Sequence, residues 1–317
     1  MRAARIIGSR NAVVEEAPVP APGEGQVLFR VEGCGVCASN LGPWLGLPWT
    51  QYPLRPGESG HEAWGVVESV GKGVQSLAPG DRISALSYNA YAQFDVADEV
   101  GVIRLPSSLA AQPFPGEPLA CAINIFERSR IEAGHTVAII GLGFLGAVLT
   151  RLASLAGARV IAISKRPFSL TLAAEMGASE LIPLEDHQQI IQRVEELTRG
   201  RWCDRVIEAT GKQWPLDLAG ELVKTRGSLV VAGYHQDGAR QVNMQLWNWK
   251  GLDVINAHER DPERYRQGMQ RAVEAVESER LDPSPLFTHR YSLEHLADAL
   301  DATLERPAGF IKALVIP

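Results

Sequence analysis

Residues 136–146 read Thr136-Val137-Ala138-Ile139-Ile140-Gly141-Leu142-Gly143-Phe144-Leu145-Gly146. A short apolar run leads straight into a Gly-x-Gly-x-x-Gly turn, and Phe144–Ala156 carries a helical pattern. Short glycine patterns arise by chance in many chains, so the position between a strand and a helix is what gives this one weight. There Gly141 permits the tight turn, Gly143 lets the backbone approach a pyrophosphate, and Gly146 lets the helix lie close to the strand. The helix N-terminus turns free N–H groups toward negative phosphates. The stretch is predicted to hold a dinucleotide.

Downstream, apolar runs alternate with helical stretches. Val160–Ile163, Leu181–Leu184, Arg205–Ala209, Ser228–Ala232 and Leu252–Ile255 read as strands. Phe168–Met176 and the polar segment from about His187 to Thr198 read as helices. With Thr136–Ile140 this makes six buried strands with crossover helices, hence an α/β unit with a doubly wound parallel sheet. The second strand ends in Ser164-Lys165-Arg166, where an NAD site places an acid on the ribose 2′-hydroxyl. A carboxylate would repel a 2′-phosphate, whereas Ser, Lys and Arg favour it, so NADP(H) is expected over NAD(H).

Upstream the pattern differs. Gln26–Val31, Ala63–Val70, Asp81–Leu86 and Val100–Leu105 are short apolar segments separated by the turns Ala21-Pro22-Gly23, Arg55-Pro56-Gly57 and Ala78-Pro79-Gly80. Such spacing suggests a compact β domain. Beyond the parallel sheet, Pro262–Glu279 reads as an amphipathic helix, and Thr288–Pro317 as strand, helix, strand expected to pack back on the β domain. The expected division is therefore 1–124 and 259–317 for one domain and 125–258 for the other.

Composition sets outer bounds. A length of 317 residues suits two domains. A net charge of −6 argues against a nucleic-acid partner, which needs a concentrated basic surface. No apolar run approaches the ~20 residues of a membrane span, and Met1–Gly8 lacks the apolar core of a secretory signal. Four cysteines are too few for a disulfide scaffold, so a reducing, cytoplasmic setting is expected.

Three segments bear candidate metal ligands: Gly33-Cys34-Gly35-Val36-Cys37-Ala38-Ser39-Asn40, Gly57-Glu58-Ser59-Gly60-His61-Glu62, and Glu117-Pro118-Leu119. Thiolate, imidazole and carboxylate together suit zinc, and three protein ligands with an open position suit a catalytic site. Over nearly its full length the chain resembles the zinc-containing medium-chain dehydrogenase/reductase superfamily. Cys-Gly-Val-Cys-x-Ser looks like its first-ligand motif, Gly60-His61-Glu62-x-x-Gly65-x-Val67 like its zinc signature, and Gly80-Asp81-Arg82 like its usual turn. Glu117-Pro118-Leu119 looks like the polyol and threonine dehydrogenase branch, and Val206-Ile207-Glu208-Ala209-Thr210-Gly211 like the strand beside the nicotinamide.

The resemblance implies a GroES-like catalytic domain beside the Rossmann domain, and one zinc on Cys37 and His61 with Glu62 and Glu117 as ligands or exchangeable near-ligands. It implies cofactor contacts at Gly141, Gly143, Phe144, Leu145, Gly146, Ser164, Lys165, Arg166, Thr210 and Gly233, and a proton relay through Ser39. The implied reaction moves a hydride between NADP(H) and a secondary alcohol or ketone, a polyol, sugar or cyclitol being favoured. A homodimer or homotetramer is implied by analogy.

Three departures stand out. No cysteine lies between Gly65 and Leu119, so the structural-zinc lobe is absent. Asn40 replaces the usual Asp that orients the zinc-bound histidine, and Gly42 replaces a histidine that often ends the proton relay. The Asn40 amide oxygen is expected to accept the His61 N–H instead. Trp44 and Trp49 are candidates either for the substrate pocket or for packing, and Tyr88, Asn89 and Tyr91 for the cleft. Trp247 and Trp249 are expected in a loop or subunit contact, and His235 is the remaining histidine best placed for a role. Two other readings stay open: a zinc-free NADP(H) enone or quinone reductase on the same fold, and a non-catalytic NADP(H) sensor.

Overall fold

The structure, a computed structural model, describes all 317 residues. Contacts divide the chain into two units, Met1–Ala120 with Arg260–Pro317, and Cys121–Glu259.

In the first unit β1 (Arg2–Gly8) and β2 (Asn11–Glu16) form an antiparallel pair. Then come β3 (Gln26–Gly35), α1 (Leu41–Leu45), β4 (Glu62–Val70), β5 (Arg82–Ala85), β6 (Phe94–Asp98), β7 (Val102–Arg104) and the start of α2 (Gly116–Ser129). The second unit runs β8 (Thr136–Ile140), α3 (Phe144–Leu155), β9 (Arg159–Ser164), α4 (Pro167–Glu175), β10 (Glu180–Pro183), α5 (His187–Thr198) and β11 (Cys203–Glu208). It ends with α6 (Gln213–Leu222), β12 (Val223–Val231), α7 (Met244–Lys250) and β13 (Asp253–Asn256). The chain returns to the first unit through α8 (Pro262–Glu277), β14 (His289–Ser292), α9 (Leu296–Glu305) and β15 (Ala313–Ile316).

The second unit is a six-stranded parallel sheet in the order β10-β9-β8-β11-β12-β13. Its central strands β8 and β9 are apolar on both faces for a reason visible in the core. Ala138, Ile140, Ile161 and Ile163 pack on one side, and Val137, Ile139, Val160 and Ala162 on the other. With both faces covered, these two strands read as continuous apolar runs. The strand order reverses between β8 and β11, which places the glycine turn after β8 beside the end of β11.

The first unit is built on β3, which pairs with β4 and β6 and, at its end, with the C-terminal β15. Val27, Phe29, Val31 and Cys34 face the core of that sheet with Leu296, Leu300 and Val315. Trp44 is fully buried there, and its Nε1 donates to Asp301 Oδ1 at 2.7 Å. It is a packing residue, not a pocket wall. Trp247 and Trp249 lie in a helix, α7, rather than a loop: Asn243 caps it by accepting the Leu246 N–H at 3.0 Å.

The three glycines of the turn are needed for different reasons. Gly141 has φ +98°, in the left-handed region. Gly143 faces open space, where a Cβ would meet nothing within 4 Å. A Cβ at Gly146 would collide with the Gly141 carbonyl oxygen, a backbone atom that cannot swing aside. Alanine at this helical position gains about 1 kcal/mol in propensity, but overpacking typically costs about 1–3 kcal/mol. The collision should win. Gly146→Ala is expected to lower stability in urea unfolding; a variant as stable as the parent would show that the helix has room to retreat.

Candidate functional site

Strand register assembles the site. Gly35 at the end of β3 stands opposite Glu62 at the start of β4 and opposite Leu314 in β15. Cys37 follows Gly35 by two residues, His61 precedes Glu62, and Lys312 precedes Leu314 by two, so all four side chains issue from one end of the sheet. One sulfur, nitrogen or oxygen atom from each of Cys37, His61 and Glu62 lies within 4.8 Å of the others.

Each group is held locally. The Cys37 N–H donates to Asn40 Oδ1 at 2.9 Å, and Cys37 Sγ accepts from the Ser39 N–H at 3.5 Å across a short 3-10 turn. His61 Nδ1 lies 2.9 Å from the Ser59 carbonyl oxygen. A carbonyl can only accept, so Nδ1 carries the hydrogen and the neutral ring keeps its lone pair on Nε2. Asn40 therefore does not take the His61 N–H, contrary to expectation. Its Oδ1 is occupied by Cys37 and by the Tyr91 hydroxyl at 2.8 Å, while its Nδ2 donates to the Ser59 carbonyl at 2.7 Å.

Glu62 is fully buried, with Oε1 accepting from Lys312 Nζ at 2.5 Å. Its other oxygen, Oε2, is buried without a hydrogen-bond partner. It lies over Gly35, where any Cβ would collide with it. A buried carboxylate oxygen lacking a donor is costly, and the carboxyl group that carries it belongs to the same cluster as a thiol and an imidazole. That is the donor set of a divalent soft-to-borderline metal such as zinc, so these residues fit the ion. Glu117 is buried at the start of α2 but stands outside the cluster of three.

The electrostatics describe the site without a metal cation. Burial opposes a charged His61, but the hydrogen bond and charge of Cys37, with the charges of Glu117 and Glu62, raise it to about 10, so with no metal ion present the ring takes a second proton on Nε2, the atom a metal would claim. Burial likewise opposes a charged Lys312, yet the charges of Glu62 and Cys37 hold it above its ordinary value. Cys34 is different: burial, then the Glu62 charge, pushes its thiol well up, and its Sγ donates to Gly35 O at 3.4 Å. It stays a packed thiol. Tyr91 is also held protonated, by burial first, which suits its role as donor to Asn40. It is buried and does not line a cleft.

In the second unit, α3 begins at Phe144 with no side chain capping it and no acid in its first turn. Phe144 is buried and Leu145 partly so. Ser164 is buried at the end of β9, where its Oγ accepts the Arg166 N–H at 3.3 Å. Arg166 Nη2 reaches back to the Leu142 carbonyl at 3.4 Å, and Lys165 is exposed. Glu208, fully buried at the end of β11, accepts the N–H groups of Thr210 at 2.6 Å and Gly211 at 2.9 Å, and the Thr210 hydroxyl. Its other oxygen meets His235 Nε2 at 3.0 Å, while His235 Nδ1 accepts from Arg240 Nε at 2.8 Å. His235 is thus a neutral pin between Glu208 and Arg240. Gly233 packs so closely on Gly211 and Glu208 that a Cβ would clash with both.

Sequence motifs point to Cys37, His61 and Glu62. They carry no signal for Lys312, which lies 250 residues from Glu62, or for the parts played by Ser59, Tyr91 and Arg240.

Comparison with known proteins adds the following. Residues 23–106 match the alcohol dehydrogenase GroES-like domain, and residues 145–274 match the zinc-binding dehydrogenase domain. The chain is 25% identical to the sorbitol dehydrogenase of Bacillus subtilis (strain 168), over 100% of this chain and 97% of that one. It is 26% identical to the L-threonine 3-dehydrogenase of Bacillus velezensis, over 97% and 96%. A Sinorhizobium meliloti 1021 protein whose crystal structure holds NADP superposes with a TM-score of 0.85 at 26% identity, covering 100% of this chain and 99% of that one.

The ion pair gives a direct test. Removing one partner of a buried pair costs about 3–5 kcal/mol, because the other charge stays buried and uncompensated. Lys312→Met should lower the stability of the metal-stripped protein by about that much in urea unfolding, and adding Glu62→Gln should recover much of it. No loss in the single variant would show that Glu62 and Lys312 are not an ion pair in the folded protein.

Proposed function

This chain belongs to the zinc-type medium-chain dehydrogenase/reductase family, and on that premise we propose that it is an alcohol dehydrogenase moving a hydride between NADP(H) and a secondary alcohol or its ketone. The observation that carries this reading is the convergence of Cys37, His61 and Glu62, with Glu62 Oε2 unpartnered. One zinc is assigned to Cys37 and His61, with Glu62 or the neighbouring Glu117 completing the protein ligands. Zinc so held supplies Lewis-acid polarisation of the substrate oxygen, and the nicotinamide supplies or accepts the hydride.

The chain's own residues set the conditions. His61 offers Nε2 because Ser59 holds Nδ1–H. Lys312 neutralises part of the carboxylate charge, so Glu62 is anchored by one oxygen while the other remains available. Ser39, two residues past Cys37 on the same turn, is assigned the relay of the alcohol proton toward solvent. Glu208 locks Thr210 and Gly211 beside the glycine turn, a rigid floor for the nicotinamide end. Lys165 and Arg166, with the Ser164 hydroxyl, are assigned to the 2′-phosphate: a guanidinium and an ammonium pair with phosphate, and no carboxylate stands at this strand end to repel it. The relative bound to NADP supports that choice.

For the substrate, the sorbitol dehydrogenases among the relatives and Glu117-Pro118-Leu119 favour a polyol, sugar or cyclitol. The intact Cys37–His61–Glu62 set supports the zinc enzyme over the metal-free reductase and over the sensor. A homodimer or homotetramer is supported by β13, which ends its sheet, with Val254 on it and Met244 and Trp249 nearby exposed, Trp249 at 87%. No helix is long and apolar enough to cross a membrane. The free cysteines fit a cytoplasmic setting.

Two measurements test this. Purified protein should carry about one zinc per chain and oxidise members of a polyol and cyclitol panel with NADP, and Cys37→Ala should lose both properties. Full activity in zinc-free protein would refute the zinc assignment. For the cofactor, charge-assisted hydrogen bonds contribute about 1.5–3 kcal/mol. Arg166→Ala should therefore weaken NADPH binding about tenfold or more in fluorescence titration while leaving NADH nearly unchanged. Equal losses for the two cofactors would remove Arg166 from the 2′-phosphate.

A further inference from the structure

Ser59 has φ +85°, a left-handed conformation that a residue with a side chain rarely takes. Its carbonyl is the group that His61 Nδ1–H meets. What holds this backbone in place is therefore also what aims the imidazole. The Ser59 N–H donates to the Tyr88 carbonyl at 3.0 Å, and the flanking segment is zipped to the same loop by Ala90 N–H to Gly60 O at 3.0 Å and Tyr91 N–H to Gly57 O at 3.2 Å. On the other side stands Asn40, 3% exposed. Its Nδ2 donates to Ser59 O at 2.7 Å and to Ser59 Oγ at 3.0 Å. Its Oδ1 accepts from Cys37 N–H at 2.9 Å and from the Tyr91 hydroxyl at 2.8 Å. The amide cannot be reversed, because the Cys37 N–H needs an oxygen to accept it. All four hydrogen bonds of the side chain are used: two on Ser59, two residues before His61, one on the Cys37 N–H and one on the Tyr91 hydroxyl.

We propose that Asn40 is a positioning residue that sets His61 through the Ser59 carbonyl, and that the loop Ser87–Tyr91 completes this support through Tyr88 and Tyr91. The inference rests on the zinc reading above, because it assigns Asn40 its value through His61 as a ligand. It has a counterintuitive consequence. Aspartate, the residue expected at this position from the family resemblance, has the same shape but no donor. Its second oxygen would stand where Nδ2 stands; the Ser59 hydroxyl could turn to donate to it, but the Ser59 carbonyl oxygen, the group that His61 meets, cannot. The Ser59 backbone would be driven off, and His61 with it.

The test is cobalt(II) titration of the metal-stripped full-length protein, read by thiolate-to-metal charge-transfer and d–d absorption. Groups that orient a metal ligand typically change metal affinity by about 10–100-fold when removed. Asn40→Asp is expected to weaken cobalt binding by about tenfold or more and to shift the d–d bands, with Asn40→Ala weakened less. A merely structural role would lower the thermal midpoint without moving the bands. Should Asn40→Asp fail to fold, Tyr91→Phe decides: it removes one of the two donors on Oδ1 without changing charge, and a smaller weakening with the same band shift is expected. Unchanged affinity and bands in whichever of these two variants decides would overturn the role of Asn40, provided Cys37→Ala has lost the thiolate band. If the parent protein shows no thiolate band, the zinc reading itself fails, and the inference falls with it.

Discussion

The opposition of Gly35 and Glu62 in the β3–β4 ladder is the constraint on which the first unit depends. It places a carboxylate in the interior at the end of a sheet, directly over a residue without a side chain. Shifting the pairing by one residue would turn Glu62 to the opposite face and separate Cys37 from His61. The same register admits β15 on the other side of β3, which brings Lys312 to the carboxylate from the far end of the chain. Sheet pairing here does what no local motif can: it joins three segments distant in sequence into one polar cluster at the edge of an apolar core.

The second unit answers a similar demand differently. Its parallel sheet turns the ends of β8, β11 and β12 toward the same edge, and the loops that follow must pass close to one another. Gly141, Gly211 and Gly233 permit the approach, and Glu208 fixes it by accepting backbone N–H groups from the loop after its own strand. His235 and Arg240 extend that lock to the loop after β12. The glycine turn keeps its open side at Gly143, where nothing lies within reach of a Cβ.

The parts visible in the sequence were those with local causes. Parallel strands buried on both faces announce themselves as apolar runs, and the glycine turn as a spacing. By contrast β2 and β6 alternate in exposure, and β1 interrupts its buried Ala3, Ala4 and Ile6 with the charged Arg2 and Arg5, so none of the three shows a continuous apolar run. Helix α7 buries no residue and offers no periodic apolar face to read, which is why its tryptophans suggested a loop. Cys37, His61 and Glu62 sit within motifs. Lys312 has none, since its partner is reached only through the β15–β3 register. The route from Asn40 to His61 is not legible in the sequence for one physical reason: it turns on a positive φ at Ser59, which no residue type at that position foretells.

Two buried glutamates differ in how far the structure satisfies them. Glu62 and Glu208 are both fully excluded from solvent. Glu208 meets donors at both oxygens, N–H and hydroxyl groups on one side and His235 on the other, so it has no unmet demand. Nothing further could bind it without breaking a bond already made. Glu62 meets a single cation with one oxygen and leaves the other without a donor, in a carboxyl group that shares its cluster with a thiol and an imidazole. An arrangement optimised for stability alone would have supplied a donor there, since an unmet buried acceptor costs about 1–3 kcal/mol. Leaving the demand unmet costs stability, and this asymmetry, more than burial or motif, is what marks the Cys37–His61–Glu62 cluster as the candidate metal site.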